Sequence, residues 1–271
     1  MVNSKFIGMV CVIGVSIIPS ISAAEMVIAS GSFPFPTSIS LDKCFGEALL
    51  DAKRAAMSKY GLEGVTSSAM EVCVDTASSA NCELYQETLS YFDGGYIASF
   101  EVTDKKERLF GGQKECSVEI KAQVRRYSEK PDPNFGLSAS VTGKKTKMKG
   151  DEIVIEGEVN QKSHLFLLAW YPNSDDDRYY KLLPNDFEKF QNINGKFTIP
   201  SSEGQSQYGL YAEPDMELDE NIQFEVLILL ATKKPFQLLD VENSASLYQR
   251  LNSLGRDNWQ LLKLSYNVLK G

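Results

Sequence analysis

A covalent bridge between distant segments constrains a fold more tightly than any local propensity, because it removes most of the conformations open to the unfolded chain. This chain can form two, both in one half. Beyond its apolar N-terminal leader the cysteines are Cys44, Cys73, Cys82 and Cys116, and none follows before Gly271. Cys44 lies in "SLDKCFGEALLDAKRAAMSKYG", where Leu41, Cys44, Phe45, Ala48, Leu49, Ala52, Ala55 and Tyr60 recur mostly every three or four residues. That spacing predicts an amphipathic helix with Cys44 on its buried face. Ser40 stands where a cap belongs, and Gly61 where the helix can stop in the left-handed conformation. In "ECSVEIKAQVRRY", Cys116, Val118, Ile120, Ala122 and Val124 alternate with polar residues, which predicts a half-buried strand facing that helix.

Four cysteines allow three pairings. Their placement favours Cys44–Cys116, which ties helix to sheet and closes a long loop worth roughly 3–5 kcal/mol. Cys73 and Cys82 flank the turn formers "VDTASSAN" and then staple a hairpin or loop. The spacings of 29, 9 and 34 residues contain no close ligand pair, which disfavours zinc.

Disulfides imply an oxidising compartment, and the N-terminus agrees. Lys5 precedes the 13-residue apolar run "FIGMVCVIGVSII", Pro19 breaks it, and Ser22 and Ala24 sit at the −3 and −1 positions of a cleavage site before Glu25. These are the parts of a secretory signal peptide over residues 1–24. A retained anchor would need about 20 apolar residues to cross the hydrocarbon. Localisation is therefore expected to be periplasmic or extracellular, with the membrane touched only during export or peripherally. The leader carries one lysine and no acid, so removing it takes the formal net charge from −8 to −9. So acidic a chain argues against nucleic acid as a partner, since phosphate binding needs clustered Lys and Arg.

The mature length of about 247 residues suits two domains. The stretch "YSEKPDPNFG" has two prolines, a glycine and no apolar period, so residues 128–136 read as a linker. Residues 25–127 read as a small α+β domain, a long helix on an antiparallel sheet. Residues 137–271 read as a mainly β sandwich. There "DEIVIEGEV" alternates, with Ile153, Ile155, Gly157 and Val159 on one face and acids on the other; "HLFLLAWY", "GKFTIP" and "NIQFEVLILLAT" are further strands. "SASLYQRLNSLG" predicts a C-terminal helix, and "WQLLKLSYNVL" a closing strand that seals the sandwich edge.

With those residues quoted, the stretch from Met148 to Phe236 resembles the bacterial domain-of-unknown-function family 4384. The likeness rests on Gly150-Asp151 ahead of an alternating strand, "LFLLAWYP", then "YYKLLPN", "NINGKFTIP" and a final strand closed by "KKPF". Glu220 and Asn221 stand where the family often has a glycine. The resemblance implies an Ig-like β module of envelope or secreted proteins, with no assigned chemistry. The first half is similar to the N-terminal domain of flagellar assembly protein T and related lipoproteins, through "EALLDAKRAA", Gly94 or Gly95, and a strand ending "VEIKAQV". That likeness implies a role in organising an envelope structure.

Chemistry is hard to find. There is no G-x-S-x-G, H-E-x-x-H, Walker loop or G-x-G-x-x-G. His164 is the sole histidine and has no Ser or Cys motif beside it. In "NSDDDR", Asn173, Asp175 and Asp177 begin like a calcium loop, but Arg178 and Pro184 stand where that loop needs its glycine and glutamate. The turn reads as a solvated hairpin tip. The acidic run from Glu213 to Glu220 reads as a solvated loop, and the lysines between Lys144 and Lys149 as an edge strand protected from pairing. No cofactor or metal is expected, and no catalytic residue. Tyr171, Tyr179, Tyr180 and Phe187 around the acidic turn form a candidate interaction surface, since tyrosine-rich patches are common at interfaces.

These readings describe an exported envelope accessory protein that binds an envelope or surface protein, through a surface rather than a pocket. A cell-surface hydrolase is the enzymatic alternative, and an inhibitor or toxin partner a third. A cleft with convergent carboxylates of raised pKa would mark an enzyme; a flat apolar patch would mark a binder. N-terminal sequencing of the exported protein is expected to begin at Glu25; cytosolic protein that retains Met1 would refute the signal-peptide reading.

Overall fold

The computed structural model describes residues 25–35, 41–62, 69–76, 79–86, 91–92, 94–110, 113–171, 178–214 and 221–270. The chain is mainly β. Its first half runs β1 (Glu25–Pro34), α1 (Leu41–Lys59), β2 (Ala69–Thr76), β3 (Ser79–Gln86), β4 (Tyr91–Phe92), β5 (Gly95–Phe110) and β6 (Gln113–Arg126). The second half runs β7 (Leu137–Val141), β8 (Thr146–Met148), β9 (Ile155–Trp170), β10 (Arg178–Leu183), β11 (Ile193–Ile199), β12 (Ile222–Thr232), β13 (Val241–Asn243), α2 (Ser244–Leu254) and β14 (Trp259–Leu269).

In the first half an antiparallel sheet of order β1-β6-β5-β4 is covered by α1. Ala48, Ala52, Ala56 and Met57 of the helix meet Val27, Ala29, Val118, Ile120 and Val124 of the sheet in one core. Cys44 and Cys116 are fully buried there and form a disulfide, with their Cα atoms 5.8 Å apart. The helix ends as Gly61 suggests: its φ is +73°, the Gly61 amide donates to Ser58 and the Leu62 amide to Met57, which closes the last turn. Ser40 lies outside the described residues. β2 and β3 form a separate hairpin whose register sets Cys73 opposite Cys82; their side chains lie outside the described residues. Strand β1 pairs along its whole length with β6. Small residues let α1 lie close to it: a Cβ on Gly31 would come within 2.1 Å of the Ala52 backbone nitrogen.

In the second half a sheet of order β13-β10-β9-β12-β14-β8 packs across an apolar core from β7 and β11. The expected strands "DEIVIEGEV" and "HLFLLAWY" are largely one strand. From Ile155 to Val159, β9 pairs with β7 and β11; from His164 to Trp170 it pairs with β12, and near its end also with β10. The polar residues between them mark a corner, where Ser163 is buried and its hydroxyl donates to the Gln161 carbonyl at 2.8 Å. The closing strand β14 does not seal the edge: it lies inside the sheet, paired along its length with β12. The edge is β8, bound parallel to the end of β14. Lys147 of β8 is buried, and its ammonium donates to the Thr142 carbonyl at 2.8 Å, so this lysine is not part of a surface patch.

The other face of this sheet carries a third core. Phe166, Leu168, Trp170, Val226, Ile228 and Leu230 meet Leu247, Tyr248 and Leu251 of α2, together with Tyr96 and Tyr127 from the first half. Tyr127 stacks on Tyr96 at 5.5 Å and meets Trp259 edge-on at 5.7 Å. The expected linker is exposed over most of its length but is anchored at three points. The Glu129 carboxylate accepts from the Arg256 amide, Asp132 pairs with Lys233 at 2.5 Å, and Phe135 is buried in the sandwich core. Lys233 and the Asn134 amide hold the Asp132 carboxyl below the usual carboxylate range.

Two glycines test this packing. Gly31→Ala is expected to destabilise by about 2–3 kcal/mol, because the helix backbone must move. Gly46→Ala, at an exposed helix position with nothing within 4 Å of the added carbon, is expected to stabilise by about 0.5–1 kcal/mol. Urea unfolding with the disulfide intact reads both, and equal effects would refute the close approach at Gly31.

Candidate cleft between the sheets

The inner face of β12 alternates: Leu227, Leu229 and Ala231 belong to the sandwich core, and the same parity puts Glu225 at its end. Antiparallel register sets Tyr266 of β14 directly across from Glu225. The Tyr266 hydroxyl donates to Glu225 Oε2 at 2.5 Å. A second wall comes from residues 209–213, held beside residues 150–153 by Ile153 N–H to the Leu210 carbonyl, Ala212 N–H to the Asp151 carbonyl and Gly150 N–H to the Ala212 carbonyl. Between them lies a cleft of about 320 Å3. Its lining includes Glu225 and Tyr266 with Ile153, Ala169 and Leu227, and also Tyr171, Leu182, Leu210, Tyr211 and Glu213.

Glu225 is only 6% exposed. Burial pushes its carboxyl up to about 7, against the opposing effect of hydrogen bonds from the Tyr266 hydroxyl and the Glu213 backbone amide; the Glu213 carboxylate adds a smaller upward push. Burial likewise raises Tyr171 to about 12, helped by Glu225, Tyr180 and Glu213. Tyr266 is raised by burial, by the Glu225 carboxylate that accepts its hydroxyl, and by Tyr171. Glu225 was not anticipated from the sequence. The available signal was that an acid inside "FEVLILLA" has nowhere to go but a core or a cavity.

The residues expected at an interaction surface divide. Tyr171 and Tyr180 pair with ring centres 6.0 Å apart, and Phe187 is 60% exposed and stacks on Tyr208. Tyr179 is a correction: at 1% exposure it packs edge-on against Trp170 in the core beneath α2. Tyr211, 56% exposed and lining the cleft, was not anticipated. Asp175 and Asp177 lie outside the described residues, as does the acidic run beyond Pro214. His164 lines a second cavity, of about 200 Å3, with Pro184, Lys189 and Phe236; no carboxylate, hydroxyl or thiol is among its described lining residues. Among the described residues no group of three or more His, Cys, Asp or Glu side chains could hold a metal ion, and no helix is long and apolar enough to cross a membrane.

No family model matches the chain, and no curated protein matches it. The resemblances described above therefore rest on the residues quoted for them.

The buried carboxyl makes a pH-dependent prediction. A raised carboxyl pKa favours the neutral form in the folded state, so the cost is fully present above about 7 and is relieved as pH falls from about 7 toward the unfolded value near 4.5. Glu225→Gln is expected to stabilise the protein by about 2–3 kcal/mol at pH 8 and by little at pH 4.5. Thermal unfolding at the two pH values checks this; an equal shift at both would overturn it.

Proposed function

We propose that this is an exported accessory protein of the bacterial envelope that acts by binding a partner rather than by catalysis. In this reading an α+β domain over residues 25–127 is joined by residues 128–136 to an Ig-like sandwich domain. The observation that carries the binding reading is the cleft, whose lining includes the exposed side chain of Tyr211 together with Tyr171. Aromatic side chains with a polar end are the usual anchors of recognition sites. The buried Cys44–Cys116 disulfide supports an oxidising compartment and hence export.

A cleft rather than a flat patch, with a carboxyl raised toward neutrality, meets part of the mark of an enzyme given above, and it favours one other reading, a cell-surface hydrolase. A carboxyl that titrates near neutrality suits a general acid. Two-carboxylate hydrolysis needs both groups to face the scissile bond at a set separation. Here Glu225 is engaged by the Tyr266 hydroxyl and the Glu213 backbone amide, the hydrogen bonding of a positioned recognition group.

Immobilised mature protein is expected to retain one stoichiometric partner from envelope extract, and Tyr211→Ala to lose it. Hydrolysis of a glycoside or ester by the purified protein, abolished in Glu225→Gln, would replace the binding reading with the enzymatic one. Retention that is indifferent to Tyr211→Ala would remove the cleft from the interaction.

A further inference from the structure

Among the described residues, the cleft surrounds a buried carboxylate with hydrogen-bond donors but no opposite charge. The titratable groups that face Glu225 are Tyr171 at the end of β9, Tyr211 and Glu213 of the second wall, and Tyr266 of β14. Among the described lining residues there is no Lys, Arg or His. The donors from Tyr266 and the Glu213 amide satisfy lone pairs without neutralising the charge. Buried charges in proteins are ordinarily paired.

The remaining walls suit a ligand that supplies the missing charge. Phenol rings attract cations over their faces, and Tyr171 and Tyr211 bring two to the cleft. Leu182, Leu210 and Leu227 offer apolar contact to an alkyl stem. About 320 Å3 is at the small end of ligand sites and has room for an alkyl stem with its charged head. An anionic ligand would meet two carboxylates.

We propose that the cleft binds an organic cation, a primary ammonium at the end of an alkyl chain, with Glu225 as its countercharge and Tyr171 and Tyr211 flanking the stem. This inference rests on the reading of the protein as a binder and names the ligand chemistry of that same site. Such a group reaches the cleft either as a basic side chain of a peptide or as a free diamine.

The test is titration of the mature chain with Nα-acetyl-lysine methylamide and with 1,4-diaminobutane, followed through tyrosine ring resonances. Saturable binding is expected. It should tighten about tenfold from pH 6 to pH 8, as Glu225 ionises around 7. Tighter binding of the lysine derivative assigns the source to a peptide, and tighter binding of the diamine to a free amine. Glu225→Gln is expected to weaken binding at pH 8 at least tenfold and to flatten the pH dependence. At the exposed position 211, Tyr211→Phe should retain binding and Tyr211→Ala weaken it severalfold, which keeps the test decisive if Glu225→Gln fails to fold. No saturable binding of either amine overturns the proposal, as does full binding by Glu225→Gln. Saturation by methyl glucoside with neither amine binding overturns it in favour of a polyol. If the amines fail while a partner is still retained through Tyr211, only the ligand class falls; if both fail, the binding reading falls with it.

Discussion

Strand β12 is buried from Gln223 to Thr232, so the central sheet of the second half must be covered on both faces. That requirement organises the molecule. One face is closed by β7, β11 and the loops around them, the other by α2 and two tyrosines of the first half. It also explains the composition of the strand: a half-exposed strand alternates, whereas one with two buried faces runs almost continuously apolar. Against that background a single acid is conspicuous. Glu225 is accommodated only because the sandwich opens into a cleft at its end of β12.

The N-terminal half solves a different problem. Its sheet is covered by one helix, and the contact is made close by small residues rather than filled by large ones. Ala48, Ala52 and Gly31 bring backbone against backbone, and the Cys44–Cys116 bridge joins the two layers near the start of the helix. Burying both sulfurs protects the bond from exchange, since exchange needs access by a thiolate.

What could be read in the sequence follows from periodicity. The three-to-four spacing in α1 and the strict alternation in β6 each announce one buried face, and both place a cysteine on it, which is why Cys44–Cys116 was legible. Alternation says nothing of partners, however. It does not tell that β14 lies inside its sheet with short β8 at the edge, nor that β9 passes through a polar stretch at Gln161 and Ser163 without ending. The candidate surface was half legible: adjacent Tyr179 and Tyr180 must point to opposite sides of a strand, and only the sheet shows which side is the core. The cleft was least legible, because it is assembled from β12, β14 and residues 209–213, brought together by long-range pairing.

The segment between the halves carries a mechanical consequence. Tyr127 is buried on one face of the central sheet and Phe135 on the other, so the chain between them passes around the sheet like a strap, fastened on the way by Glu129 to Arg256 and by Asp132 to Lys233. A hinge would leave the two halves free to reorient; a strap fixes the angle between them. Tension applied at the N-terminal sheet would thus pass through these fastenings to Lys233 after β12 and Arg256 before β14.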